Sequence, residues 1–356
     1  QFSSRSPAGA GSVNTFLNFT VVGIATAAVY AIAASGLVVT YTTSGIFNFA
    51  HGAIGMMAAF TYWQLRFGWN WPAPVALIEL GPGRGTLMRD ALTAARRVPG
   101  FLDALSITLV DVNERLRRVQ EETLAGVAAP VRWLTSLNAD TIGMPAIVIA
   151  NEYLDALGVD QAVSDGDAWC RRVVALDAAG ELQFGCGERL VSSNWQLDAE
   201  AQDAGAGTVA ERPGFLDDGN LKDLAKVPLM AGLFIDYGHT ETTLGDSLQA
   251  VRQHAFEHPL TSPGEADLTL QVDFEAFGAM MSGLGYAVDG PVIQAEFLGR
   301  LGIIERASRL MSANPAKAGS IEAGVARLLA PNGMGSRFKV MGVRSVSLPP
   351  LPGLEC

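Results

Sequence analysis

Cysteine is scarce: Cys170, Cys186 and Cys356 are the only 3 in 356 residues. None forms a CxxC pair and the number is odd, so a disulfide framework is not expected, and reduced thiols in a cytosolic compartment fit better. A basic surplus is lacking as well. The net charge is −11, which excludes nucleic acid as a default partner. The chain holds no Walker A loop and no G-x-S-x-G elbow, removing P-loop and α/β-hydrolase chemistry. Charge of either sign is nearly absent from residues 1–75, where Arg5 and Arg66 stand alone. The remainder therefore carries −11 − 2 = −13, a sharp compositional boundary.

Residues 1–15 are rich in Ser, Gly and Ala and are expected to be disordered. Phe16–Tyr41 is free of charge, and Gly45–Leu65 is interrupted only by Asn48 and His51. A membrane helix needs about 20 apolar residues, so both stretches qualify. The apolar region is too long for a secretory signal peptide. The expectation is a two-helix membrane segment with both ends cytoplasmic, Arg5 and Arg66 flanking it. A buried Ala/Gly-rich soluble helix pair is the competing reading. The run Gly36–Gly52, and most specifically Asn48-Phe49-Ala50-His51-Gly52, resembles the start of a LivH-type branched-chain amino-acid ABC transporter permease. A permease needs many helices around its path, so this piece cannot transport alone. Trp69–Pro74, with two prolines and two tryptophans, reads as a junction. The expected division is thus 1–15, a hydrophobic segment over 16–75, and a catalytic domain over 76–356.

From Val75 onward strands and helices alternate, an α/β signature. Strands are expected at 75–80, 106–111, 131–134, 146–150, 231–238 and 338–343. Helices are expected at 87–97, 114–124, 273–284 and 292–311, a hairpin over 169–184, and a loop over 196–220. Leu77–Met88 joins the first strand to the first helix through Gly81, Gly83 and Gly85. Glycines there let backbone approach a ligand, and the helix start aims free N–H groups at it. A dinucleotide site is written G-x-G-x-x-G. Here the spacing is G-x-G-x-G with Glu79 two residues ahead. This disfavours a nicotinamide oxidoreductase and resembles motif I of class I S-adenosylmethionine (SAM) methyltransferases. An ordinary Gly/Pro turn is the plain alternative. Asp111, at the tip of the second strand, suits a ribose diol, and capping the following helix is its other reading.

Beyond the turn, Asn151–Leu157, Ile235–His239, Gly245–Arg252, Pro263–Thr269 and Gly335–Val340 together resemble the MidA family. This is the family of the mitochondrial complex I assembly arginine methyltransferase and its bacterial relatives. The resemblance covers Leu77 to about Leu354. It implies a class I, Rossmann-like sheet with helical and hairpin insertions, SAM as methyl donor, and a protein arginine as acceptor, of the complex I subunit type. It also implies a cytoplasmic domain, or a mitochondrial one in a eukaryote. Membrane contact would come through 16–65, at the inner membrane.

The chemistry of the residues agrees. Methyl transfer is a displacement that needs alignment more than acid–base power. Asn151, Glu152 and Asp155 follow the fourth strand, where ligands bind in open α/β sheets. Two carboxylates there can clamp a guanidinium through charge-assisted forks. The alternative has Asp155 capping a helix and Glu152 merely solvated. Gly158 stands where the family usually has proline. The family's segment before the glycine turn has no counterpart here, since the permease-like piece takes its place. The chain therefore reads as a chimera with an open donor pocket, expected to bind SAM weakly and methylate poorly. A permease fragment on an inactive methyltransferase domain is the alternative of a different class. His254-Ala-Phe-Glu257-His258 matches H-x-x-E-H. It lacks a third ligand, and Pro259 would end the helix that must carry it. No metal is expected.

Overall fold

The computed structural model describes residues 75–355 apart from 97–99, 128, 139–141, 191–194, 196–203 and 254. The two expected membrane spans, His51, His254 and Cys356 lie outside the described residues. Among the described residues no helix is long and apolar enough to cross a membrane.

Buried apolar runs build the central sheet. The strands are β1 (Val75–Leu80), β2 (Leu105–Val110), β3 (Val131–Leu134), β4 (Ala146–Asn151), β9 (Met230–His239), β14 (Tyr286–Ile293) and β15 (Phe338–Ser345). Their order is β14-β15-β9-β4-β1-β2-β3. From β3 to β9 neighbouring strands run parallel, and β15 is antiparallel to both β9 and β14. Every residue of β1 is buried, as a parallel strand covered on both faces requires.

Alternation along β1 serves two cores. Val75 and Leu77 face one cluster with α1 (Thr86–Ala95), α2 (Phe101–Ala104), α6 (Gln294–Arg300), α7 (Ile303–Ala313) and α8 (Ala318–Leu329). Ala76, Ile78 and Leu80 face the other, with α4 (Gly219–Leu224) and α5 (Phe274–Gly283). Two short helices complete the set, α3 (Glu114–Thr123) and α9 (Met334–Arg337). The result is a helix–sheet–helix sandwich.

Two small sheets are inserted after strands of the central one. Between β4 and β9 lies a four-stranded antiparallel sheet of order β7-β6-β5-β8: β5 (Val159–Ser164), β6 (Trp169–Leu176), β7 (Leu182–Arg189) and β8 (Val209–Pro213). Between β9 and α5 lie β10 (Gln249–Arg252), β11 (Ala255–Glu257) and β12 (Asp267–Thr269), followed by β13 (Val272–Asp273), which extends the main sheet beside β9. Polar side chains tie the inserts together. Arg172 and Gln161 both donate to Asp246, at 2.6 and 2.9 Å. Gln161 and Ser247 both donate to Glu211.

Several expectations are corrected. The 292–311 helix is two helices preceded by β14, an edge strand whose register shifts at Gly290-Pro291. Proline is tolerated there because an edge or bulge needs no ladder N–H. The 196–220 loop contains β8. Cys170 and Cys186 are not free thiols but a disulfide across the β6–β7 hairpin, a pairing that only hairpin register could reveal. Residues 255–257 form a strand, not the helix that H-x-x-E-H needs. The one metal-capable group among the described residues is Asp165 with Cys170 and Cys186, and its two sulfurs are already bonded to each other.

The disulfide closes a loop of sequence separation 16. Replacing both cysteines by alanine should lower the unfolding free energy by about 2 kcal/mol, read from denaturant titrations under non-reducing conditions. An unchanged midpoint would show that the bond adds nothing to the hairpin.

Candidate functional site

The strand order reverses between β1 and β4, which makes their carboxyl ends the switch point of the sheet. Leu80 is in register with Ala150, so the chain leaves β1 at Gly81 beside Asn151, the last residue of β4. Gly81 has φ +63, and a Cβ on it would lie 3.0 Å from Tyr153 Cδ2. The turn and the Asn151–Leu157 segment thus lie against each other. Tyr153 is held in place from behind, donating to Asp218 Oδ2 at 3.1 Å and accepting from Asn220 Nδ2 at 2.9 Å.

The other two glycines differ in purpose. Gly83 has φ +52, and a Cβ there would meet nothing within 4 Å. Gly85 has φ +74 and lies against Gln120. Gly85 also caps α1 with no side-chain bond, and the first turn of α1 holds no acid. The start of α1, directly after the turn, therefore offers unpaired backbone N–H groups and the positive end of its dipole.

Asp111 follows β2 and is half-buried. It is not the cap of α3, because Asn113 is, accepting from the amides of Arg115 and Leu116. Asp111 Oδ1 instead accepts from Asn113 N at 2.8 Å, and Oδ2 accepts from Gln120 Nε2 at 2.8 Å. Glu79 is 2% exposed, on the face of β1 shared with Val75 and Leu77, and its Oε2 has no hydrogen-bond partner. Burial pushes its carboxyl from 4.5 up to about 8.

The acidic cluster is built around a residue whose role sequence reasoning missed. Asp236, fully buried in β9, accepts from Leu154 N and Asp155 N through Oδ2 and from Tyr237 N through Oδ1. Burial, then the neighbouring Asp155, raises its carboxyl well above the usual range. This grip holds the segment in which Glu152 adopts a left-handed φ of 50°, a conformation costing a non-glycine residue about 1–3 kcal/mol. Asn151 Nδ2 donates to Glu152 Oε1 at 3.1 Å, and Glu152 is exposed. Asp155 Oδ2 accepts from Tyr237 OH and, at 3.1 Å, from Thr269 Oγ1 of β12. Asp155 starts a 3-10 turn without capping it. Burial and the bond to Asp155 raise the Tyr237 phenol above its ordinary value, keeping it a donor. Asn151, Glu152 and Asp155 are thus brought together as expected. Tyr237 and Thr269 are additions from distant segments: the Ile235–His239 and Pro263–Thr269 runs contain them, but nothing local in either points to Asp155. Gln120 had a local signal, since it shares a helix face with Leu116 and Leu124.

A class I nucleotide-type site, glycine turn on one side and acids on the other, defines this as a SAM-dependent methyltransferase. The chain belongs to the family described as "Putative S-adenosyl-L-methionine-dependent methyltransferase", whose profile matches residues 58–292. It is 30% identical over 300 residues to the Danio rerio mitochondrial protein arginine methyltransferase NDUFAF7, covering 75% of this chain and 68% of that one. The Xenopus tropicalis protein of the same name is 29% identical over 323 residues, covering 80% and 72%. A COG1565 superfamily member from Burkholderia thailandensis, solved with S-adenosyl-homocysteine bound, matches with TM-score 0.73 and 26% identity over 85% of this chain and 78% of that one. SAM is the cofactor, as that family and that bound product establish. The open space over Gly83, the bare N-terminus of α1 and Asp111 fit it. The permease resemblance and membrane segment gain no support. The family match begins at residue 58, inside the stretch expected to be permease-like.

Two outcomes follow from this geometry. Gly83→Val puts a branched side chain into the open space and an unfavourable φ, and should weaken SAM binding by at least about tenfold, or ~1.4 kcal/mol, in calorimetry. Undiminished affinity would remove the turn from the donor site. Glu79 sets a pH dependence. Its folded value of about 8 lies above the ordinary 4.5. Its contribution is fully present below pH 4.5 and is lost as pH rises towards 8, because ionisation in the buried site is disfavoured. The upper limit of that loss is about 5 kcal/mol, at ~1.4 kcal/mol per pH unit. Glu79→Gln should flatten the fall in melting temperature across this window. Parallel profiles for the two proteins would refute it.

Proposed function

We propose that the chain transfers a methyl group from SAM to an arginine side chain of a protein, the acceptor being a subunit of the complex I type, as the MidA resemblance implies. The observation that carries this reading is the contact of Tyr153 with Gly81, which sets the acidic cluster beside the donor turn. The names of the relatives support a protein arginine as acceptor.

When bound, SAM supplies a methyl group on a sulfonium centre. The chain's task is alignment. Glu152 and Asp155 bind and orient the guanidinium by charge-assisted bonds, which localise its charge and aim one nitrogen at the donor. Tyr237 and Thr269 occupy Asp155 Oδ2, so Oδ1 is the oxygen turned to the acceptor. As the N–C bond forms and the S–C bond breaks, S-adenosylhomocysteine leaves, and the proton of the alkylated nitrogen would pass to the exposed Glu152 carboxylate and from it to solvent.

Glu152→Gln removes one charge-assisted bond and should lower kcat/KM by about 100-fold, while S-adenosylhomocysteine affinity stays unchanged. The assay follows label from radioactive SAM into proteins of a lysate from cells lacking this gene, with acid hydrolysis to identify methylarginines. Label on lysine, carboxylate or lipid in place of arginine would overturn the acceptor class.

A further inference from the structure

Three pieces of the donor site meet at one buried amide. Gln120 is the buried residue of α3, and its Nε2 donates to Gly83 O and to Asp111 Oδ2, both at 2.8 Å. Two acceptors use both N–H bonds of the amide. Turning the group over would set its oxygen against two other oxygens, so the orientation is unique. Gln120 packs on the turn itself, since a Cβ at Gly85 would lie 3.4 Å from both its Cα and its Cγ, in van der Waals contact. On its far side Asp111 is fixed by Asn113 N at 2.8 Å.

We propose that Gln120 is a positioning residue for the donor: it sets the spacing between the glycine turn and Asp111, and so makes donor affinity depend on the ribose hydroxyls. The argument rests on Asp111 as the ribose-facing acid and is independent of the acceptor. Leucine matches the size without donating, glutamate brings an oxygen against two acceptors, and asparagine is one methylene short.

The test titrates S-adenosylhomocysteine into the full chain by calorimetry. Gln120→Leu, Gln120→Met and Asp111→Asn should each weaken binding by about 10- to 100-fold, the range for a buried bond to a charged or polar partner. The double variant Gln120→Leu/Asp111→Asn should lose little more than the worse single one, because both act through one contact. A merely structural role would give additive losses. The analogue lacking both ribose hydroxyls should bind wild type far more weakly than S-adenosylhomocysteine, and Gln120→Leu should have largely lost that preference. In wild type the two Gln120 amide protons should gain protection from exchange on ligand addition, a readout that needs no variant to fold. Wild-type affinity in a folded Gln120 variant, additive losses, or amide protons left unprotected would each overturn the proposal. A neutral Asp111→Asn would overturn it by removing its premise.

Discussion

The ring of Tyr153 occupies the space that any side chain at Gly81 would need, and both halves of the site depend on that exclusion. The parallel register of β1 with β4 brings the two chain segments out together. The contact then sets how near they remain. On one side the glycine turn opens onto the start of α1. On the other, the chain continues into Glu152 and Asp155. A methyl group moves between partners held at near-attack distance, and displacements of ~1 Å can cost ~100-fold in rate. An aromatic ring packed directly on glycine backbone leaves little room for such displacement.

The acidic side is stabilised by an acid that never meets solvent. Asp236 takes three backbone amides, which explains how an exposed, left-handed Glu152 is maintained. Removing one partner from a buried set leaves donors unsatisfied, at about 1–3 kcal/mol each. The chain thus uses one buried carboxyl to shape the turn that carries Glu152 and Asp155.

The donor half was largely legible from sequence. Parallel strands covered on both faces are continuous apolar runs, and β1, β2, β4, β9 and β15 all lie within two residues of the expected bounds at each end. Glycine spacing and the placement of Asp111 were readable for the same reason, since both follow directly from strand ends. The inserts were legible only at the β6–β7 hairpin, expected over 169–184 and found as Trp169–Leu176 with Leu182–Arg189. β10, β11 and β12 are short and half-exposed, with no alternation long enough to read. β14 was hidden by Gly290-Pro291, which reads as a turn although a sheet edge admits it. The cysteine pairing failed because composition says nothing about which hairpin positions face each other. Asp236 and Tyr237 act across separations of 82 residues and Gln120 across 37, so the runs that contain them do not show their partners.

The two parts of the molecule respond differently to their surroundings. The body is held by apolar burial, which dissolved ions barely touch. The inserted sheets are joined by charged contacts such as Arg172 with Asp246, whose side chains are 13% and 39% exposed, and the surface pair Arg252 with Glu265. At physiological ionic strength the screening length is about 8 Å. Salt therefore weakens the exposed Arg252–Glu265 contact more than the half-buried Arg172–Asp246 one and leaves the body intact, so ionic composition acts on the inserted sheets before it acts on the core.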